Sequence, residues 1–237
     1  MRAAASNETP LLEERREGGW RFHRWASGRV AAGITDRQIG IAQLLRSLPA
    51  PVATVGAEQV HGASVAVIGR CGRSIEAVPG CDALVSGAAG VALLIRTADC
   101  LPIFFADPSR GVVGIAHAGW RGLAARLPAR VVSVFRHVFR SRAEDLHVAI
   151  GPAIRACCYE VGPDFADRFG PFVQERSGRR TCDLVGAAVD QLRRCGVRAS
   201  RLVDVQRCTA CDTQRWFSLR REGPATGRLT SLIMMRA

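Results

Sequence analysis

Three apolar runs lie almost back to back in the middle of the chain: GVALLIRT (90–97), LPIFFAD (101–107) and GVVGIAHA (111–118). They are rich in β-branched and aromatic residues and bounded by Gly, Pro and Asp, so they predict strands, mostly buried. GCDALVSG (80–87) and HVAIGP (147–152) read the same way, and 28–37 predicts a first strand ending at Asp36-Arg37. ATVGAEQVHGASVAVIG (53–69) predicts two short strands around Gln59-Val60-His61-Gly62. Helical spacing appears in IGIAQLLRSL (39–48), stopped by Pro49, and in the segment after Gly122, where Pro128 predicts a kink or a late start. DLVGAAVDQLRRCG (183–196) predicts a helix with Asp183 as N-cap and Gly196 at the C-terminal end. LVDVQRC, WFSLRR and LTSLIMMR are expected as late strands. Strand runs dominate without strict β-α alternation, which gives an α+β class. The expected organisation is a flexible lead-in over residues 1–20 and one catalytic domain over 21–237.

Asp107-Pro-Ser-Arg-Gly111 has turn chemistry and joins two of the central runs as an antiparallel hairpin. If 107 pairs with 111, Leu101 faces His117; a slip by one puts Cys100 opposite His117. Either register makes Cys100 and His117 cross-strand neighbours, about 5–8 Å apart at Cβ. Packing does not require either side chain in such an apolar stretch. Both fall at the open end of the hairpin, beside Asp99 and the Ala-Gly-Trp-Arg-Gly loop, where sites are commonly built. His61 also lies in a break between strands. One thiolate and two imidazoles suit zinc, with a fourth position left for water or substrate. The rival chemistry at the same residues is a Cys100 nucleophile activated by His117. His23, His137 and His147 read as structural or solvated.

Charge changes the picture less than its size implies. All 33 basic residues are Arg, and the formal net charge is +12. The arginines are scattered rather than striped, and the chain has one Tyr, so no nucleic-acid surface is expected. An anionic small substrate fits the charge as well. Arg37 and Arg121, next to the expected site, offer the bidentate fork that phosphate prefers; with Gln59 they are the candidates for phosphate and substrate. Asp99 is placed to orient a ligand or carry a proton, or to cap a turn. No run approaches transmembrane or signal-peptide length, so a cytoplasmic protein with no membrane partner is expected, as a monomer. Nine cysteines without an export signal are expected as reduced thiols. Cys157-Cys158 and Cys208-x-x-Cys211 form local pairs. A lone C-x-x-C lacks the two further ligands of a metal site, so these are expected to be incidental.

Several motifs come in a specific order: Gln59-Val-His-Gly62, TADCLP (97–102), His117-Ala-Gly-Trp-Arg-Gly122, Ile150-Gly-Pro-Ala-Ile154, Cys158-Tyr-Glu-Val-Gly162, and Phe217-Ser-Leu-Arg-Arg221 with Thr226-Gly-Arg228. From about residue 30 to the C-terminus the sequence resembles the YfiH family, known as polyphenol oxidase, purine nucleoside phosphorylase, laccase-domain or peptidoglycan editing factor. The resemblance implies an α/β sandwich of mixed sheets flanked by helices, with a metal site at His61, Cys100 and His117. It implies phosphorolysis of purine nucleosides and deamination of adenosine, with zinc as cofactor and purine nucleosides and phosphate as partners. Copper phenol oxidation and amide hydrolysis on a peptidoglycan precursor are the other activities the names imply, and a non-catalytic zinc-holding protein is the remaining alternative. Multicopper chemistry needs many histidines, and the chain has five, so zinc is preferred to copper. The family's Gly-Gly-Val-Ser segment is absent after Asp36-Arg37, and Leu219 stands where Tyr or His is common.

Overall fold

The computed structural model describes residues 12–15, 19–22, 25–49 and 51–236. In chain order the elements are β1 (Leu12–Arg15), β2 (Gly19–Phe22), β3 (Val30–Ile34), α1 (Ile41–Arg46), β4 (Ala53–Ala57), β5 (Val65–Ile68), β6 (Ile75–Val78), β7 (Ala83–Ser86), β8 (Val91–Thr97), β9 (Leu101–Asp107) and β10 (Val112–Ala118). There follow α2 (Trp120–Ala124), α3 (Leu127–Phe139), β11 (His147–Ile150), α4 (Phe165–Phe169), β12 (Val173–Arg176), β13 (Arg179–Cys182), α5 (Leu184–Arg194), β14 (Leu202–Asp204), α6 (Leu219–Glu222) and β15 (Leu229–Met235).

The strands form two large mixed sheets. One has the order β1-β2-β3-β15-β8-β4-β6, the other β14-β11-β9-β10-β7-β5; β12 and β13 make a separate hairpin. The sandwich explains why the central runs are continuously apolar. Side chains alternate across a strand, and β9 is buried along its whole length. Phe104 points to the core between the sheets, with Trp20, Leu93, Ile115 and Trp216. Ile103 and Phe105 point the other way, against α3 and α5 through Val131, Phe135 and Leu192. A smaller cluster of Ala31, Leu44, Leu232 and Met234 packs α1 on the outer face of the first sheet. The architecture is the mixed sandwich flanked by helices that the sequence implies.

Local chemistry explains the helix ends. Asp183 accepts a hydrogen bond from the Gly186 N–H at 2.9 Å, and Gly196, at φ +96°, takes the left-handed turn just past α5. Pro128 falls in the first turn of α3, so the late start, not a kink, is what occurs.

Three expectations are corrected. Residues 12–15 and 19–20, assigned from sequence to the lead-in, form with 21–22 a pair of strands, with Leu12 opposite Phe22 and Trp20 opposite Ile34; residues 1–11 lie outside the described region. WFSLRR is not a strand. Ser218 accepts from the Arg221 N–H at 3.3 Å, and Glu222 accepts from the Ser218 N–H at 3.0 Å, a reciprocal cap that starts α6 there. The hairpin register also differs from both alternatives: Asp107 pairs with Val112 and His117 with Pro102. Asp107 caps the turn by accepting from the Ser109 and Arg110 N–H groups. Gly111, at φ +68°, therefore belongs to the turn and not to the strand.

Candidate active site

His117 is set by β10, near its end, and is only 3% exposed. Cys100 immediately precedes β9, at the open end of the same hairpin. His61 comes from the loop between β4 and β5. The three side chains meet: one ligand atom from each lies within 4.8 Å of the others. The imidazole rings of His61 and His117 stand edge to face, with centroids 4.8 Å apart. His61 is exposed, Cys100 half-buried and His117 buried, so the cluster opens toward His61.

Asp82, which sequence reasoning did not single out, organises the cluster. It is fully buried immediately before β7. Its Oδ1 accepts from His117 Nδ1 at 2.8 Å and from the His61 N–H at 2.9 Å; Oδ2 accepts from the Gly62 N–H at 2.7 Å. The His117 N–H also donates to the Asp82 carbonyl at 2.8 Å. One carboxylate thus fixes the ring of one histidine and the backbone of the other, and leaves His117 Nε2 for Cys100 or a metal. A usable signal existed, because a lone Asp inside GCDALVSG is a charge that burial makes costly unless it is paired.

The loop that carries His61 is conformationally strained. Gln59 and His61 have φ of +66° and +60°, a region that costs non-glycine residues about 1–3 kcal/mol. Asp82 holds one end of this loop. Gln59 holds the other: its amide nitrogen donates to the Arg96 carbonyl at 2.5 Å, and its Oε1 accepts from the Arg96 N–H at 2.7 Å. The Gln59 side chain is therefore used in positioning the loop. Asp99 is also engaged, at φ +83°. It accepts from Thr209 Oγ1 at 2.6 Å and from the Arg220 N–H at 2.7 Å, which pins the start of α6 beside Cys100.

Electrostatics favour an ionised cysteine. Burial opposes the Cys100 thiolate, but the side chains of His117 and His61 more than compensate and bring the thiol down to about 7. Burial likewise disfavours the His117 imidazolium; the hydrogen bonds to Asp82 and Cys100 outweigh it and lift the ring to about 9. Burial would raise Asp82, yet its bonds to His117 and to the Gly62 N–H hold it below its ordinary value.

Two adjoining cavities share His61, Ala98, Cys100 and Leu219. The larger, of 380 Å³, is walled by Trp120, Tyr159, Leu184, Arg121 and Arg220 among others. The second, of 350 Å³, is lined by Glu58, Gln59, Arg96, His117 and Arg228 among others. Both volumes fall in the small-molecule range of about 300–1,000 Å³. Arg121 lies against the Trp120 ring, 4.5 Å from its centroid. Arg37 does not line either cavity. It is ion-paired with Glu222, stacks 4.5 Å over the Phe217 ring and donates to the Trp216 carbonyl at 3.3 Å. The structure thus places Arg37 apart from both cavities, with its guanidinium on Glu222, the Phe217 ring and the Trp216 carbonyl. Arg96, Arg220 and Arg228, which the sequence reading did not nominate, are the arginines at the cavities with Arg121. Arg220 and Arg228 could have been found from the Phe217–Arg228 motif itself.

Gly119 gives a direct test of this geometry. A Cβ there would lie 3.1 Å from Cys100 Sγ and 3.4 Å from His61 Cδ2, although its φ of −77° is ordinary. Gly119→Ala is expected to fold with near wild-type Tm but to weaken metal retention at the cluster at least about 10-fold, as read by competition with a chelator.

The arrangement has clear relatives. A purine nucleoside phosphorylase YlmD of Geobacillus stearothermophilus is 38% identical over 194 residues, 76% of this chain and 71% of that protein. An adenosine deaminase RL5 from an unknown prokaryote is 33% identical over 187 residues, 72% of this chain and 70% of its own. The crystal structure of YlmD from Geobacillus stearothermophilus superposes with a TM-score of 0.85 at 30% identity, covering 96% of this chain and all of that one. Bacillus licheniformis YfiH has the same fold, with a TM-score of 0.84 at 24% identity over 95% of this chain and 99% of its own. The model of the multi-copper polyphenol oxidoreductase laccase family matches residues 12–236, and with it the chain belongs to that family.

Proposed function

We propose that the protein is a purine nucleoside phosphorylase that also deaminates adenosine, with both activities centred on His61, Cys100 and His117. The observation that carries this reading is the Asp82–His117 pair beside Cys100 at the junction of two cavities, one with the aromatic side chains Trp120 and Tyr159, each with two arginines. Relatives named for both activities support it.

The donor set suits zinc: one thiol already inclined to ionise and two imidazoles, one of them oriented by a carboxylate. His61, Cys100 and His117 would hold the ion, and it would supply Lewis acidity for deamination. The chain has five histidines; His147 contacts Arg201 and His137 lies on α3, so a multicopper set is a poorer fit than zinc.

For phosphorolysis the purine lies in the larger cavity, against Trp120, Tyr159 and Leu219. Phosphate takes the second, where Arg96 and Arg228 have no carboxylate partner among the described residues. A phosphate oxygen bonds to the ribose C1′ as the C1′–purine nitrogen bond breaks, and the bonding electrons leave with the purine. The purine must be protonated. Burial keeps the Tyr159 hydroxyl protonated, with its pKa raised to about 12 despite Arg220, so Tyr159 is the proposed hydrogen-bond donor to the departing purine, which takes its proton from water. Asp99, with both carboxylate oxygens engaged, acts as a positioning residue.

The phosphate assignment is tested by steady-state kinetics on Arg96→Ala and Arg228→Ala. Each removes a charged hydrogen-bonding group worth about 1.5–3 kcal/mol, so the KM for phosphate is expected to rise about 10–100-fold with little change in KM for adenosine. Unchanged phosphate KM in both variants would place the anion elsewhere, with Arg121 and Arg220 the next candidates.

A further inference from the structure

Cys157-Cys158 and Cys208-x-x-Cys211, two pairs far apart in sequence, converge on one point. Their four sulfurs all lie within 4.8 Å of one another. Cys211 Sγ stands 3.5 Å from Cys157 Sγ and 3.4 Å from Cys158 Sγ. Four thiolates at about 2.3 Å from a tetrahedral ion are separated by about 3.8 Å, so little movement is needed to close a shell. The C-x-x-C that lacked two partners in the sequence thus acquires them from the Cys157-Cys158 turn.

The backbone brings the two segments together. Residues 153 and 208 form a parallel bridge, with the Ala153 N–H donating to the Arg207 carbonyl at 3.2 Å and the Thr209 N–H to the Ala153 carbonyl at 3.1 Å. Arg155 grips Asp204 with two bonds of 2.8 and 2.7 Å, tying the same two segments one step further back. A turn in which the Cys158 N–H donates to the Arg155 carbonyl at 2.8 Å then presents the sulfurs. Cys157 and Cys211 are exposed, which gives an ion access from solvent.

We propose that these four cysteines form a second, structural zinc site, separate from the His61–Cys100–His117 cluster. Four soft thiolates whose sulfurs all lie within 4.8 Å of one another suit a single tetrahedral Zn²⁺, and a complete protein shell leaves no position for substrate. Binding releases four protons, one from each thiol, and changes no oxidation state. The site staples the wall of the larger cavity. Tyr159 follows Cys158 directly, and Thr209, between Cys208 and Cys211, donates to Asp99.

The test uses the full chain carrying Cys100→Ala, so that the catalytic cluster contributes no thiolate. It is kept reduced, stripped with chelator and titrated with Co²⁺ alone. One equivalent is expected to produce intense thiolate-to-cobalt charge transfer and the visible bands of a tetrahedral four-sulfur site, both abolished by Zn²⁺. Adding Cys211→Ser is expected to weaken metal binding at least about 10-fold and to lower the charge-transfer intensity. No charge-transfer band in the Cys100→Ala protein, or a band unchanged by Cys211→Ser, overturns the proposal. So does a thiol titration of the protein as purified, before any reductant is added, that finds these cysteines in disulfides. The Co²⁺ count on the intact cluster stands even if Cys211→Ser fails to fold. None of these readouts depends on the nucleoside activity.

Discussion

Cys100→Ala is expected to lower turnover of adenosine by more than about 10³-fold while leaving the fold intact, a loss of about 4 kcal/mol of barrier stabilisation at 1.36 kcal/mol per decade. Cys100 lines both cavities and meets both histidines. It precedes β9 and is outside the ladder, and Ala removes only a sulfur from a half-buried position. Circular dichroism and Tm should therefore be close to wild type. Cys100→Ser separates the two chemistries this residue could support. A serine keeps a hydroxyl donor but is a far poorer ligand for a soft metal, so equal loss in both variants, with equal loss of bound zinc, indicates a ligand role. Retention of zinc with loss of activity indicates a nucleophile.

Asp82→Ala is expected to have the largest effect on the fold. Three N–H donors lose their acceptor in a site with no exposure to solvent, a change worth about 3–5 kcal/mol when a buried charged partner is involved. The His61 loop, held at positive φ, relaxes as its anchor goes. Asp82→Asn keeps the size and one acceptor oxygen but loses the charge; it is expected to fold and to retain metal about 10–100-fold less well. The pH dependence of the metal-free protein gives a second readout. His117 has a folded pKa raised from 6.5 to about 9, so its contribution is complete below 6.5 and is lost as pH rises through 9. Asp82 is depressed, so its contribution is present above the ordinary carboxylate value and lost as pH falls through its folded value. Cys100, lowered from 9.0 to about 7, gains stability as pH rises through the same interval and offsets the His117 loss. Urea unfolding of chelated wild type should therefore show the acidic flank and little change between 7 and 9, and Asp82→Asn should lose the acidic flank.

How much of this was legible in the sequence depends on whether the signal was local. The central strands, α1 and α5 follow from runs, caps and prolines that act within a few residues, and each occurs close to its expected bounds. His61, Cys100 and His117 were legible because a thiol and imidazoles at strand ends stand out against apolar neighbours. The residues that were missed or lie apart from the site depend on distant partners. Asp82 acts across the gap to His61 and His117. Arg37 was drawn to Glu222, a contact spanning most of the chain, and the four clustered cysteines belong to two segments about fifty residues apart. The WFSLRR segment reads as strand until Ser218 and Glu222 cap each other, and β1 and β2 read as lead-in until they find β3. The one-residue error in the hairpin register came from the geometry of Gly111, which no apolar pattern encodes.

The central claim is that one site, built on His61, Cys100 and His117, uses phosphate to cleave a purine nucleoside. Its most direct measurement is product analysis of the purified protein incubated with adenosine, with and without phosphate, beside Cys100→Ala and a metal assay of both. Adenine and ribose 1-phosphate in equal amounts, formed only with phosphate and absent in the variant, are the predicted result, with inosine as the accompanying deamination product. A zinc-loaded wild-type protein that forms none of these from adenosine would contradict the account, and an amide of a cell-wall precursor would then be the substrate class to test.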